Sequence, residues 1–305
     1  LSLVWPLRFR SSMNTTWPSG IAIRRLSFVM CCSFATPSQD DTQAALWKRL
    51  VDGELATPDT WEVGLSAAKS DADKKSTWER LLSEGKLGAV ALLKNLRNMQ
   101  SVGVPRQTIA DALDYVNPGM LLPVNFLAAR NAAPDFTRYI ENAMFRSMQA
   151  WPKLNGWTVF VVDVSGSMDQ KISAKSDYAR LDVACAMAVL ASEVCENITI
   201  YATAGSYTHK TIKIAPHRGF ALSDLIQSDR LGGGGIFTRQ CLEFIRTQER
   251  EQPDRIIVFS DSQDCDHSNT VPIPFGKQNN IVDVSCHKNG VNYKGVWDAE
   301  IAGWS

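Results

Sequence analysis

Residues 157–168, WTVFVVDVSGSM, constrain what this chain can fold into more than any other stretch. Residues 157–162 are aromatic or β-branched throughout, the composition of a strand buried on both faces of a parallel sheet. The run stops at Asp163, and Asp163, Ser165 and Ser167 follow at i, i+2 and i+4, with Gly166 between the serines to let the backbone turn tightly. Three oxygens can then converge. Hard cations such as Mg2+ take oxygen ligands in octahedral geometry and keep several waters, so one carboxylate and two hydroxyls make an incomplete ligand set.

Two later segments supply what is missing. Residues 255–260, RIIVFS, form a second buried-strand run that also ends in a carboxylate, Asp261. Gly232 to Gly235 precede Thr238, a further hydroxyl just ahead of an apolar helical stretch. Open parallel sheets bind ligands outside the carboxyl ends of their strands, and both aspartates sit at such ends. The bland alternative is a strand-to-helix turn with serine as a cap, since short motifs match by chance. A nucleophilic serine is disfavoured because G-x-S-x-G is absent and His209, His217, His267 and His287 form no triad pattern. The glycine run lacks the Lys-Ser/Thr ending of a phosphate loop. The set DxSxS, Thr, Asp resembles the metal-ion-dependent adhesion site of the von Willebrand factor A family. That resemblance implies Asp163, Ser165, Ser167, Thr238 and Asp261 as ligands of a divalent cation, Mg2+ before Mn2+ or Ca2+.

Around this motif, residues 177–195 read as an apolar helix and 198–202 and 211–215 as strands. Residues 239–248 then read as a helix and 281–285 as a late strand. Such alternation predicts a doubly wound, Rossmann-like α/β domain over residues 152–305 with helices on both faces. Asp264, Cys265, Asp266 and His267 read as a solvated acidic loop, with a second cation as a remote alternative.

The rest of the chain has a different period. Residues 37–151 are helical in pattern: 42–51 closed by Gly53, a helix opened by Thr57-Pro58 and running through Trp61, Leu65 and Ala68, then 71–84 stopped at Gly85. Helices over 86–100, 105–116, 124–131 and 134–151 follow, joined by short links that imply antiparallel hairpins. Residues 85–110 hold Lys86, Lys94, Arg97 and Arg106 and no acid. On the 86–100 helix, Leu92, Leu93 and Leu96 share one face, while Lys94, Arg97 and Asn98 line the other. From charge alone, this face is an ordinary solvated surface.

Net charge is zero over 305 residues, which excludes a global electrostatic pull toward nucleic acid or membrane and leaves only local patches. The division is +4 for residues 1–36, −1 for 37–150 and −3 for 151–305. Seven cysteines without CxxC pairs point to a reduced, cytoplasmic setting and give zinc little support. Cys185 and Cys195 fall in one expected helix, roughly 15 Å apart along its axis, too far to bridge. No apolar run reaches the length of a transmembrane helix. Residues 1–36 are of uncertain character: the chain begins at Leu1, and Arg24-Arg25 before residues 26–35 only loosely resemble a secretory segment.

The segment WEVGLSAAKSDADKKSTWERLLSEGKLGAVALLKNLRNMQSVGV, residues 61–104, is similar to the Ro autoantigen family, whose RNA-binding portion is the TROVE module. That family joins antiparallel, HEAT-like helical repeats to a von Willebrand A-like domain in the order seen here. The resemblance implies a non-enzymatic ribonucleoprotein component in RNA quality control, binding small non-coding Y-type RNA and the ends of misfolded RNAs. A partner such as a nuclease would engage the metal site. Charge and helix face nominate Lys86, Lys94, Arg97, Asn98, Arg106 and Arg130 as RNA contacts. The family's ring needs more helices than residues 37–151 supply, so a truncated, open ring is expected. A rival reading is a metal-dependent protein-interaction module with a helical adaptor. A metal-assisted phosphohydrolase is disfavoured by a site with two carboxylates and no evident general base.

Overall fold

The computed structural model describes residues 48–49, 52, 54, 59–119, 121–149, 151–174, 176, 178–266, 272–285 and 295–302. The chain divides into two compact units, Leu1–Asp59 and Thr60–Ser305. The described part of the first is a fragment of helical turn, in which Asp52 N–H donates to Lys48 O. The expected 42–51 helix and the Thr57-Pro58 start lie largely or wholly outside the described residues.

The second unit opens with α1 (Trp61–Ala67), capped by the Thr60 hydroxyl accepting from Val63 N–H. α2 (Asp71–Ser83) starts in a capping box, Ser70 and Asp73 each accepting from the other's backbone N–H, and ends at Gly85 with φ +61°. α3 (Ala89–Ser101) begins later than its sequence pattern suggests, α4 (Arg106–Tyr115) follows Pro105, and α5 (Pro123–Ala132) has proline in its first turn. A 3-10 turn, Pro134–Phe136, leads into α6 (Thr137–Gln149).

Strands β1 (Leu154–Asp163), β2 (Cys195–Ala204), β3 (Lys210–Lys213), β4 (Arg255–Ser260), β5 (Gln278–Asp283) and β6 (Ala299–Ala302) form one sheet in the order β3-β2-β1-β4-β5-β6. Every pair is parallel except β2 with β3. Strand period sends Phe160 and Val162 to one face and Val159 and Val161 to the other, so β1 is covered on both sides. The first face carries α7 (Arg180–Val194) and α8 (Gly219–Ser228), and the second carries α9 (Thr238–Gln248). α7 is buried on nearly every side because it lies between the sheet and helices α5, α6 and α8. One apolar core therefore runs from Trp78 of α2 through Phe126, Ile140 and Val189 to Phe160 of β1.

One expectation needs correction and two elements were not expected. Cys195 is not in the helix: its extended backbone ends α7 and starts β2 directly, and Cys185 and Cys195 are both free, buried thiols. α8 went unforeseen because it starts at Gly219, φ +58°, with no capping side chain to announce it. β6 was also unforeseen, being a four-residue edge strand with the acidic Glu300 in it.

Candidate functional site

The chain passes from β1 to β2 and β3 on one side, then crosses β1 to reach β4 on the other. The crevice at the carboxyl ends of β1 and β4 is thus the switch point of the sheet. Asp163 ends β1 and Asp261 follows β4; both are fully buried. Parallel register sets Val162 opposite Phe259, which brings Ser260 beside Asp163 so that its hydroxyl donates to Asp163 Oδ2 at 2.8 Å. Ser165 N–H donates to Asp163 Oδ1 at 2.8 Å, and the Ser165 and Ser167 hydroxyls lie 3.1 Å apart.

The glycines hold this loop by close backbone approach. Gly166 N–H donates to the carbonyls of Gly233 and Gly234, and a Cβ on Gly166 would lie 2.6 Å from Gly233 O. Gly235 N–H donates in turn to Gly205 O, and a Cβ on Gly234 would meet that same carbonyl at 1.9 Å. The glycine run wraps the serine loop and delivers Thr238 to the crevice as the first residue of α9. The five sequence-nominated ligand positions therefore come from one end of the sheet.

Charge is unevenly distributed across the set. Asp163 accepts hydrogen bonds from neutral donors, and burial pushes its carboxyl up to about 6 despite the opposing pull of Ser165 and Ser260. Asp261 instead faces the Arg180 guanidinium, Nη1 to Oδ2 at 2.6 Å, with both side chains buried. Arg180 Nη1 also lies 3.4 Å from Ser167 O. Arg230 bridges Ser165 O at 3.1 Å and Asp169 Oδ1 at 2.8 Å. Thr238 Oγ1 is buried without a properly formed hydrogen bond, although the Asp264 carboxylate is close by. A desolvated carboxylate without a cation and an unsatisfied hydroxyl among oxygen donors fit a hard divalent ion. Neither His209, bonded to Thr211 Oγ1, nor His217, bonded to Ala215 O, touches the serines, and His267 and His287 lie outside the described residues.

The two carboxylates of the acidic loop after Asp261, expected to be solvated, turn onto α9, while Cys265 between them is exposed. Asp266 Oδ2 accepts from the N–H groups of Arg239 and Gln240 at 2.7 and 3.3 Å, Asp264 Oδ1 accepts from Thr238 N–H at 3.3 Å, and the Asp266 side chain is 4% exposed. These carboxylates cap α9 from a distant part of the chain. Arg180, Arg230 and Ser260 escaped sequence reading, and the capping role of Asp266 was missed, because their partners are remote in sequence; only Arg180, a cation opening an apolar helix, carried a local signal.

The nominated basic residues differ in their partners. α3 buries Leu92, Leu93, Leu96 and Met99 and exposes Lys94, Arg97 and Asn98, as its periodicity requires. Lys94 rims a cavity of about 650 Å³ between α3, α5 and the segment ahead of α7, with Asn125, Asn131 and Tyr178. Lys86 pairs with Glu84 at 2.8 Å, and Arg106 donates to Asp135 O at 3.0 Å while lying over the Phe136 ring. Arg130 pairs with Asp224 of α8 at 2.9 Å and stacks on Phe220, tying the helical layer to the sheet domain.

Helices layered on a six-stranded, mostly parallel sheet, with hydroxyls and carboxylates at its switch point, define a helical segment joined to a doubly wound α/β domain. The TROVE domain family model matches residues 40–203, from the helical segment through the DVSGSM loop to β2, and the chain belongs to that family. No curated protein matches the sequence. Among solved structures, the fold is similar to the Ro (RSR) protein of Deinococcus radiodurans, with TM-score 0.57 and 16% identity over 86% of this chain and 65% of that one. The likeness is one of fold, and the chain spans less than two thirds of that relative.

Proposed function

We propose that this chain binds RNA, as a non-enzymatic component of a ribonucleoprotein, through the exposed face of α3. Membership of the TROVE family carries this reading. Lys94, Arg97 and Asn98 stand together on that face, and neither cation has an ion-pair partner among the described residues, so both are open to phosphate. Lys86 and Arg106 flank it, whereas Arg130 serves the contact with α8. Single-stranded ends of structured or misfolded RNA suit this surface better than blunt duplex. Splayed bases can stack on Arg97 and enter the cavity beside Lys94. Y-type RNA, a cytoplasmic place and RNA quality control are the proposed biological setting.

Asp163, Ser165, Ser167, Thr238 and Asp261 would hold a divalent cation, Mg2+ foremost, in the sheet domain. When bound, the ion supplies an open position for an acidic or phosphate oxygen from a partner such as a nuclease. The unsatisfied Thr238 hydroxyl also favours a second reading, a metal-dependent protein-interaction module with the helices as adaptor. Charge reversal separates the two. Lys94→Glu with Arg97→Glu should weaken binding of a 3′-tailed RNA at least about tenfold and lower the slope of log affinity against log salt by roughly two. Unchanged affinity and slope, measured by fluorescence anisotropy, would remove α3 as the RNA face.

A further inference from the structure

Among the described residues, the cation in direct contact with a nominated ligand side chain is the chain's own Arg180. Arg180 opens α7, is buried, and spans Asp261 Oδ2 and Ser167 O with one guanidinium nitrogen. Its position is unfavourable on two counts. The N-terminal end of a helix repels positive charge, which Asp182 in the same first turn partly offsets, and Arg180 Nε is buried without an acceptor. Arg230, a second described cation close by, is drawn outward to the exposed Asp169. Asp261 is thus neutralised from within, while Asp163 has only neutral donors among the described residues.

We infer that Arg180 is the built-in counter-cation of this site: it holds Asp261 in place with or without a divalent ion, and it keeps the affinity for that ion low. The inference rests on the divalent-cation reading given above. An ion arriving among Asp163, Ser165, Ser167 and Thr238 meets a like charge already committed to Asp261, in surroundings that screen poorly. Because Asp261 is already paired, the fold does not depend on the ion, which becomes an exchangeable ligand. Deleting the guanidinium charge reverses both effects. Asp261 is left buried and unpaired, which weakens the ion-free fold, and the ion gains a carboxylate that nothing else neutralises.

Mg2+ titration calorimetry and thermal melts of the full chain, its Arg180→Gln and Arg180→Lys variants, and Asp163→Ala as a site control test this. Arg180→Gln should bind Mg2+ at least about tenfold more tightly than the unmodified chain, melt lower without Mg2+ and regain more stability when Mg2+ is added. Arg180→Lys keeps the charge and should stay within about threefold of the unmodified affinity. Binding by Arg180→Gln where the unmodified chain shows none, or folding of that variant only when Mg2+ is present, is the same result in stronger form. Equal affinities for the two overturn the inference, as does an Arg180→Gln chain that stays unfolded with Mg2+ in excess. Absence of Mg2+ binding by both folded proteins is a different failure, which removes the divalent-cation reading and the role of Arg180 with it. Asp163→Ala must abolish the heat; binding that survives it lies elsewhere and overturns both.

Discussion

Asp163 is buried among hydroxyl and amide donors, and its carboxyl is pushed up to about 6. Its proton is therefore held more tightly in the folded chain than in the unfolded one. Below about pH 4 both states carry the proton and ionisation costs nothing. Between there and about pH 6 the ion-free fold loses stability as the unfolded chain ionises first, and above that the full penalty of roughly 3 kcal/mol is present. Asp163→Asn should therefore raise ion-free stability at pH 7.5 by about 1–3 kcal/mol, since Ser260 can accept where it now donates, and the gain should vanish near pH 4. The same variant should lose any stabilisation by Mg2+. Urea denaturation at the two pH values checks this; a loss of stability at pH 7.5 that exceeds the loss at pH 4 would contradict it.

Helix α9 owes its start to Asp266, whose carboxylate takes two of the N–H groups that a helix leaves unpaired. Asp266→Ala should cost about 1–2 kcal/mol and speed amide exchange at Arg239 and Gln240. Because α9 presents Thr238 to the crevice, that variant should also weaken Mg2+ binding. Unchanged exchange at those amides would show that the cap carries no weight. Elements of this kind mark the limit of what the sequence discloses. β1 and β4 were legible because strands covered on both faces are apolar throughout, and α3 because its leucines and its charges separate cleanly by face. The five candidate ligand positions were nominated from strand ends, a glycine run and the family resemblance, and the fold brings them to one end of the sheet. The Asp264 and Asp266 carboxylates were misread as solvated, since acidity alone does not tell a surface from a cap on residues far upstream. α8 was invisible for want of a cap, and Arg180 was overlooked because its partner, Asp261, lies on another element.

At the scale of the molecule, a single apolar core joins α2 through α6 to α7, α8 and one face of the sheet. The Arg130–Asp224 pair and the Glu141 carboxylate, which accepts Phe220 N–H at 2.8 Å, fasten the two layers at their edge. Residues 60–305 should therefore unfold in one cooperative step, with tryptophan fluorescence and helical circular dichroism sharing a midpoint; two separate midpoints would mean that the layers are independent. A continuous core of this kind ties the α3 layer to the sheet domain, and the RNA-binding proposal depends on the α3 face. Its most direct test is binding of the purified, folded chain to a structured RNA with a single-stranded 3′ tail and to the same RNA made blunt, at two salt concentrations. Tighter binding to the tailed RNA and a marked loss of affinity as salt rises are expected. Equal affinity for both RNAs, or no affinity for either, would contradict the proposal.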